Sequence, residues 1–145
     1  MIWVDADACP VVQEITQIAQ RRSIEVYFIA SYDHMRTSPT FGKWIYVDPG
    51  QDSADLYLLN RCKPRDIAVT HDIGLASLLL AKRVYVIAPT GKVYTEETID
   101  TALTMRYYSA KERRKGNYGK GPKKFTQEDK DRFIQSLDRL LNNQN

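Results

Sequence analysis

The stretch "VDADACP", residues 4–10, decides how the chain is read. It closes an apolar run, Met1-Ile2-Trp3-Val4, with two aspartates two residues apart, and it ends on a proline three residues past Asp7. Proline is favoured in the first turn of a helix, so the stretch reads as strand, acidic turn and helix start. The same order recurs along the chain. Strands are expected at Ile2–Asp5, Glu25–Ala30, Trp44–Asp48, Ile67–Thr70 and Val84–Ala88. Helical periodicity lies between them. Val11, Val12, Ile15, Ile18 and Ala19 recur at three- and four-residue spacing, and a second helix covers roughly Ala54–Cys62. A third, Ile73–Ala81, is apolar on nearly all sides and is expected to be buried. Short strands alternating with helices, several of the strands apolar throughout, predict a three-layer α/β fold with a mainly parallel sheet flanked by helices.

Asp5 and Asp7 are the first of three acidic groups at the same topological place. Asp52 and Asp55, in "GQDSADLYL", open the second helix, and Asp72, in "VTHDIG", opens the third after the fourth strand. A carboxylate at a helix start caps orphan N–H groups and complements the helix dipole, which accounts for any one of these sites alone. Taken together they have a second reading. In an open parallel sheet the carboxyl ends of the strands line one edge, where ligands bind, so these loops can deliver four or five carboxylates to one pocket. Clustered like charges need a cation, and no Lys or Arg is interleaved in the three motifs. All-oxygen ligands favour Mg²⁺ or Mn²⁺, while Cys9, Cys62, His34 and His71 lack the spacing of zinc ligands. Asp5, Asp7, Asp55 and Asp72 are therefore the candidate metal-binding and catalytic residues, with Asp52 in support. Such a site suits phosphodiester hydrolysis.

Charge distribution points the same way. The net charge of +3 divides into −3 over residues 1–105 and +6 over residues 106–145. "KERRKGNYGKGPKK", residues 111–124, holds seven basic residues against one acidic, with three glycines and a proline. It is too polar to pack a core and is expected to be mobile. Lys111, Arg113, Arg114, Lys115, Lys120, Lys123 and Lys124 are candidate contacts for nucleic-acid phosphates, with affinity but no sequence choice. Tyr118 lies among them. Tyr107 and Tyr108 stand just before, as base-stacking candidates or, for at least one, as core. An amphipathic helix follows at about 126–142, started by the capping pair Thr126 and Asp129. The polar connection Ser31–Lys43 is long enough to be a substrate loop. Two cysteines make no disulfide framework, and the chain shows neither a membrane span nor a signal-peptide pattern, so a cytoplasmic location is expected.

"VDADACPV", "GQDSADLYLLNR", "VTHDIGLASLLLAK" and the helix start "YTEETID" resemble the YaiI/YqxD family of small bacterial proteins over most of the chain. That family is in turn similar to PIN-like domains, in which metal-dependent ribonucleases are common. The resemblance implies one PIN-like domain over residues 1–145 and favours RNA over DNA as the nucleic-acid partner. In the PIN pattern, Asp5 and Asp7 match the acid after strand one and the polar residue that follows it. Asp55, with Asp52 beside it, matches the acid opening a mid-chain helix, and Asp72 matches the aspartate of the T-x-D turn. The remaining PIN acid, a glutamate on a helix near the second strand, has no clear counterpart.

Two other functions compete. A haloacid dehalogenase-type phosphatase also places D-x-D after its first strand, with Asp5 as nucleophile, Asp7 as general acid/base, and Thr70 and Lys82 on the phosphate. It leaves Asp52 and Asp55 without a role. A non-catalytic RNA-binding module needs the basic segment and not the carboxylates. His71 and Cys9 rank lower: a lone histidine at a strand end is more often structural, and Cys9, with no evident histidine partner, is expected to be buried as a small apolar group.

Overall fold

The computed structural model describes residues 1–34, 41–50, 53–119 and 124–144. Its strands are β1 (Ile2–Asp5), β2 (Val26–Ser31), β3 (Lys43–Val47), β4 (Ile67–Val69), β5 (Tyr85–Ile87) and β6 (Val93–Tyr94). Its α-helices are α1 (Val12–Arg22), α2 (Ser53–Arg61), α3 (Ile73–Ala81), α4 (Glu96–Arg114) and α5 (Gln127–Asn143). The strands form one sheet in the order β3-β2-β1-β4-β5-β6. The first five run parallel and β6 is antiparallel to β5. This three-layer α/β architecture agrees with the PIN-like fold that the resemblance implies.

Side-chain alternation along β1 sorts the two layers. Ile2 and Val4 point into a core with Phe28 of β2, Ile15 of α1, and Phe133 and Leu137 of α5. Trp3 points the other way, into a core with Leu58 of α2, Leu75 and Leu79 of α3, and Ile99 of α4. So α1 and α5 cover one face, and α2, α3 and α4 the other. Helix α5 seats on the turn between β5 and β6, where Gly91 has φ +92° and a Cβ would come within 2.7 Å of the α5 backbone at Arg132 and Phe133. Only glycine satisfies both the backbone angle and that approach.

The structure departs from the expectations in four places. Strand β6 belongs to a hairpin closed by Gly91 N–H donating to Ala88 O at 2.8 Å, which the strand-helix alternation does not anticipate. Helix α3 is not buried all round: Leu75, Ala76 and Leu79 are inside, but Leu78 is 54% exposed. The basic segment begins as helix, because α4 continues through Lys111–Arg114 with Lys115 as its C-cap. Tyr107 and Tyr108 are both exposed and pack edge-to-face on each other, so neither joins the core. No helix among the described residues is long and apolar enough to cross a membrane.

Candidate active site

From β1 the chain first builds β2 and β3 to one side, then β4 and β5 to the other. The strand order therefore reverses between β1 and β4, and the crevice outside their carboxyl ends is where an open α/β sheet binds ligands. The two loops that leave this point are Asp5–Asp7 and Thr70–Asp72.

Thr70 ties them together. Its side chain is buried, and its hydroxyl donates to Asp5 Oδ2 at 2.9 Å while accepting from the Asp72 backbone N–H at 3.0 Å. Asp7 reaches sideways to the end of β2, where its Oδ1 accepts from Ser31 N–H at 2.9 Å. The loop after β1 is thus pinned over the carboxyl ends of three neighbouring strands. Burial pushes the Asp5 carboxyl above its ordinary value. The Thr70 hydrogen bond opposes that rise, Asp7 and Asp72 add to it as like charges, and His71 opposes it weakly. Asp5, Asp7 and Asp72 therefore share one electrostatic neighbourhood, although they come from motifs 65 residues apart.

Capping accounts for only part of this. Asp72 is the N-cap of α3, its Oδ1 accepting from Leu75 N–H at 3.2 Å. Asp7 does not cap α1: the N-cap there is Val11, without a side-chain hydrogen bond, and Pro10 sits in the turn before the helix. Helix capping therefore does not account for Asp7, which holds β2 instead.

Asp55, in the first turn of α2, lines a cleft of about 380 Å³ together with Asp72, Leu56, Leu78 and Arg106. Arg106 of α4 approaches Asp72 Oδ1 at 3.8 Å. This arginine was not singled out from the sequence. It lies seven residues after buried Ile99, so the stripe Ile99, Leu103, Arg106 on α4 would have turned it inward. Among the described residues, no three Asp, Glu, His or Cys side chains close on a common point at metal-binding distance. Asp52 lies outside the described residues. Glu14, the acid of α1, faces α5 and pairs with Lys130 at 3.8 Å, away from this edge.

The basic candidates divide likewise. Lys111, Arg113 and Arg114 are exposed on the last turn of α4, Lys115 caps it, and Lys124 is exposed ahead of α5. Lys120 and Lys123 lie outside the described residues. Helix α4 meets the carboxyl edge at Arg106 and continues eight residues to Arg114, about 12 Å at 1.5 Å per residue. Its terminal cations therefore stand about 12 Å along the helix from the acidic edge.

Other candidates have structural partners. Lys82, the C-cap of α3, donates through Nζ to Leu59 O of α2, one helix length from Asp72 at the N-cap. With Thr70 buried under Asp5, the two phosphate ligands of a phosphatase are not presented together. His71 is exposed. Cys9 is half-buried against the α1 layer, and the buried Cys62 thiol is pushed up to about 12 by burial and by Asp66, with Lys82 opposing.

The class is now defined: a three-layer α/β protein with an acidic crevice at the reversal of its strand order and, beside it, a helix that ends in a basic turn. Residues 3–143 match the family described as "Uncharacterized BCR, YaiI/YqxD family". The chain belongs to that family. It is 50% identical to a UPF0178 protein of Bacillus cytotoxicus, over 98% of this chain and 93% of the relative. A UPF0178 protein of Bacillus pumilus is 52% identical over 98% of this chain and 86% of its own length. One from Listeria monocytogenes is 46% identical over 98% and 95%. No solved structure matches.

Proposed function

We propose that this protein is a metal-dependent nuclease that hydrolyses phosphodiester bonds in RNA. The observation that carries the reading is the shared electrostatic neighbourhood of Asp5, Asp7 and Asp72 at the β1/β4 crevice, where burial and like charge raise Asp5. Crowding like charges around a buried carboxyl is unfavourable to the fold, and perturbed groups in a crevice mark functional sites. The preference for RNA over DNA rests on the PIN-like resemblance.

The donor set is all oxygen and fits a hard cation such as Mg²⁺ or Mn²⁺. Asp5, Asp7 and Asp72 would hold it, with Asp55 across the cleft and Asp52 in support. When bound, the ion supplies a lowered water pKa and charge stabilisation at the phosphate. The chain's own residues do the remaining work. Thr70 fixes the Asp5 carboxylate, Asp7 holds the loop on β2, and Lys111, Arg113, Arg114 and Lys115 draw the polyanion toward the edge.

Calorimetric titration of Mn²⁺ into wild type, Asp5→Asn and Asp72→Asn, each checked for folding by circular dichroism, tests this. Micromolar binding in the wild type that is lost in both variants is expected. No heat in the wild type would sink the metal site. A second reading, a non-catalytic RNA-binding module, is favoured by the Arg106 guanidinium already lying beside Asp72. Under that reading both variants bind RNA as the wild type does.

A further inference from the structure

The cleft between α2, α3 and α4 has a composition that the acidic edge does not explain. Leu56 and Leu78, on two different helices, line it while remaining 58% and 54% exposed. Paired apolar side chains left in water beside a cavity of about 380 Å³ are what a binding site shows, with polar groups confined to its rim. The polar side chains of its lining are Asp55, Asp72 and Arg106.

Arg106 is set into this lining by a vacancy in a side chain. Gly74, in the first turn of α3, lies under it: a Cβ there would be 3.1 Å from Arg106 Nη1 and 3.3 Å from Asp72 Oδ1. The contact to Asp72 is 3.8 Å, with the arginine side chain 58% and the aspartate 39% exposed. Ion pairs this open to solvent contribute little, so the guanidinium exchanges to another anion at small cost. The occupant must therefore offer an apolar face to the leucines and an anion to Arg106. Further anions must meet Lys111, Arg113 and Arg114, one to two helical turns beyond on the same helix.

We propose that this cleft is a nucleotide subsite for single-stranded RNA: Leu56 and Leu78 sandwich one unpaired base, and Arg106 leaves Asp72 for the adjoining phosphate. The proposal rests on the nuclease reading for its polymer, and it adds what that reading lacks, a requirement for an unpaired base next to the acidic edge. A base in a duplex is stacked and paired and does not enter such a cleft.

The test runs in EDTA, where no cleavage intervenes. A labelled single-stranded hexaribonucleotide, and the same strand annealed to its complement, are titrated by fluorescence anisotropy into wild type, Leu78→Ser and Arg106→Ala. Leucine ¹³C-methyl spectra are recorded in parallel. Single-stranded RNA is expected to shift the Leu56 and Leu78 methyls and to bind each variant about tenfold more weakly, the scale of one lost apolar or charge contact. The duplex is expected to leave those methyls in place. Equal binding by all three proteins with unmoved methyls would overturn the subsite, leaving the arm of α4 as the RNA contact and the Mn²⁺ titration to judge the nuclease. Methyl shifts that follow protein concentration instead of RNA would also overturn it, in favour of a second copy of the chain. Cleft binding without Mn²⁺-dependent cleavage would keep the subsite and sink the nuclease.

Discussion

The two faces of the sheet are covered by different means. On the α1/α5 face, Phe28, Phe133, Ile15 and Leu137 are fully buried, and the apolar stripe Phe133, Leu137, Leu141 of α5 lies against the sheet along its length. On the other face, α2 buries only Leu58, and α4, nineteen residues long, buries only Ile99. Elements with few buried contacts open locally at lower free energy, so the face that carries the cleft is also the one free to adjust. The difference separates a tightly packed layer from one that carries an open cleft.

The largest expected effect comes from the tight face. Phe133→Ala empties a fully buried site between α5 and the sheet and should cost about 3–5 kcal/mol in urea unfolding. Leu58→Ala should fall near the lower end of the range for leucine, about 2 kcal/mol, because α2 has few neighbours to hold the cavity open. Equal costs in the two variants would break the contrast between the faces.

Much of this was legible in the sequence because it rests on periodicity. The D-A-D stretch, the "VTHDIG" turn and the alternating apolar runs place five strands and four of the five helices by pattern alone, and the start of α4 comes only with the family resemblance. What escaped was tertiary. "APTGKVY", residues 88–94, holds a glycine turn between two apolar runs, a hairpin signal masked by the expectation that another helix follows. Arg106 reads as one more basic residue until α4 docks on α3. Thr70 shows nothing in the sequence of its double hydrogen bond, which exists only because β1 and β4 are neighbours. The apolar composition of α3 indicated burial, but Leu78 lines the open cleft toward α2 and α4 and stays exposed.

Thr70→Val sharpens the contrast from the site side. The change is nearly isosteric, yet it removes the donor to Asp5 and the acceptor of the Asp72 N–H in a buried position. A cost of about 1–3 kcal/mol is expected. Because that hydrogen bond lowers the Asp5 pKa, the carboxyl should also titrate higher in the variant, read by carboxyl NMR. An unchanged Asp5 titration would mean that the two loops are not coupled through Thr70.

The smallest expected effect has the opposite sign. Asp5 is held above its ordinary pKa, first by burial and then by Asp7 and Asp72. As pH rises from the ordinary aspartate value toward the raised one, the unfolded chain has already lost the proton that the folded protein still holds. Stability therefore falls across that window, and above it the penalty of ionised Asp5 is fully present. Asp5→Asn removes the ionisation while its amide oxygen can still accept from Thr70. In EDTA the variant should melt a few degrees above wild type at pH 7, on the scale of ~1 kcal/mol, and the gap should close as pH falls through the window. A lower melting temperature at pH 7 would make Asp5 a structural group braced by Thr70. A higher one would identify a carboxylate kept at a cost to the fold, as active sites keep theirs.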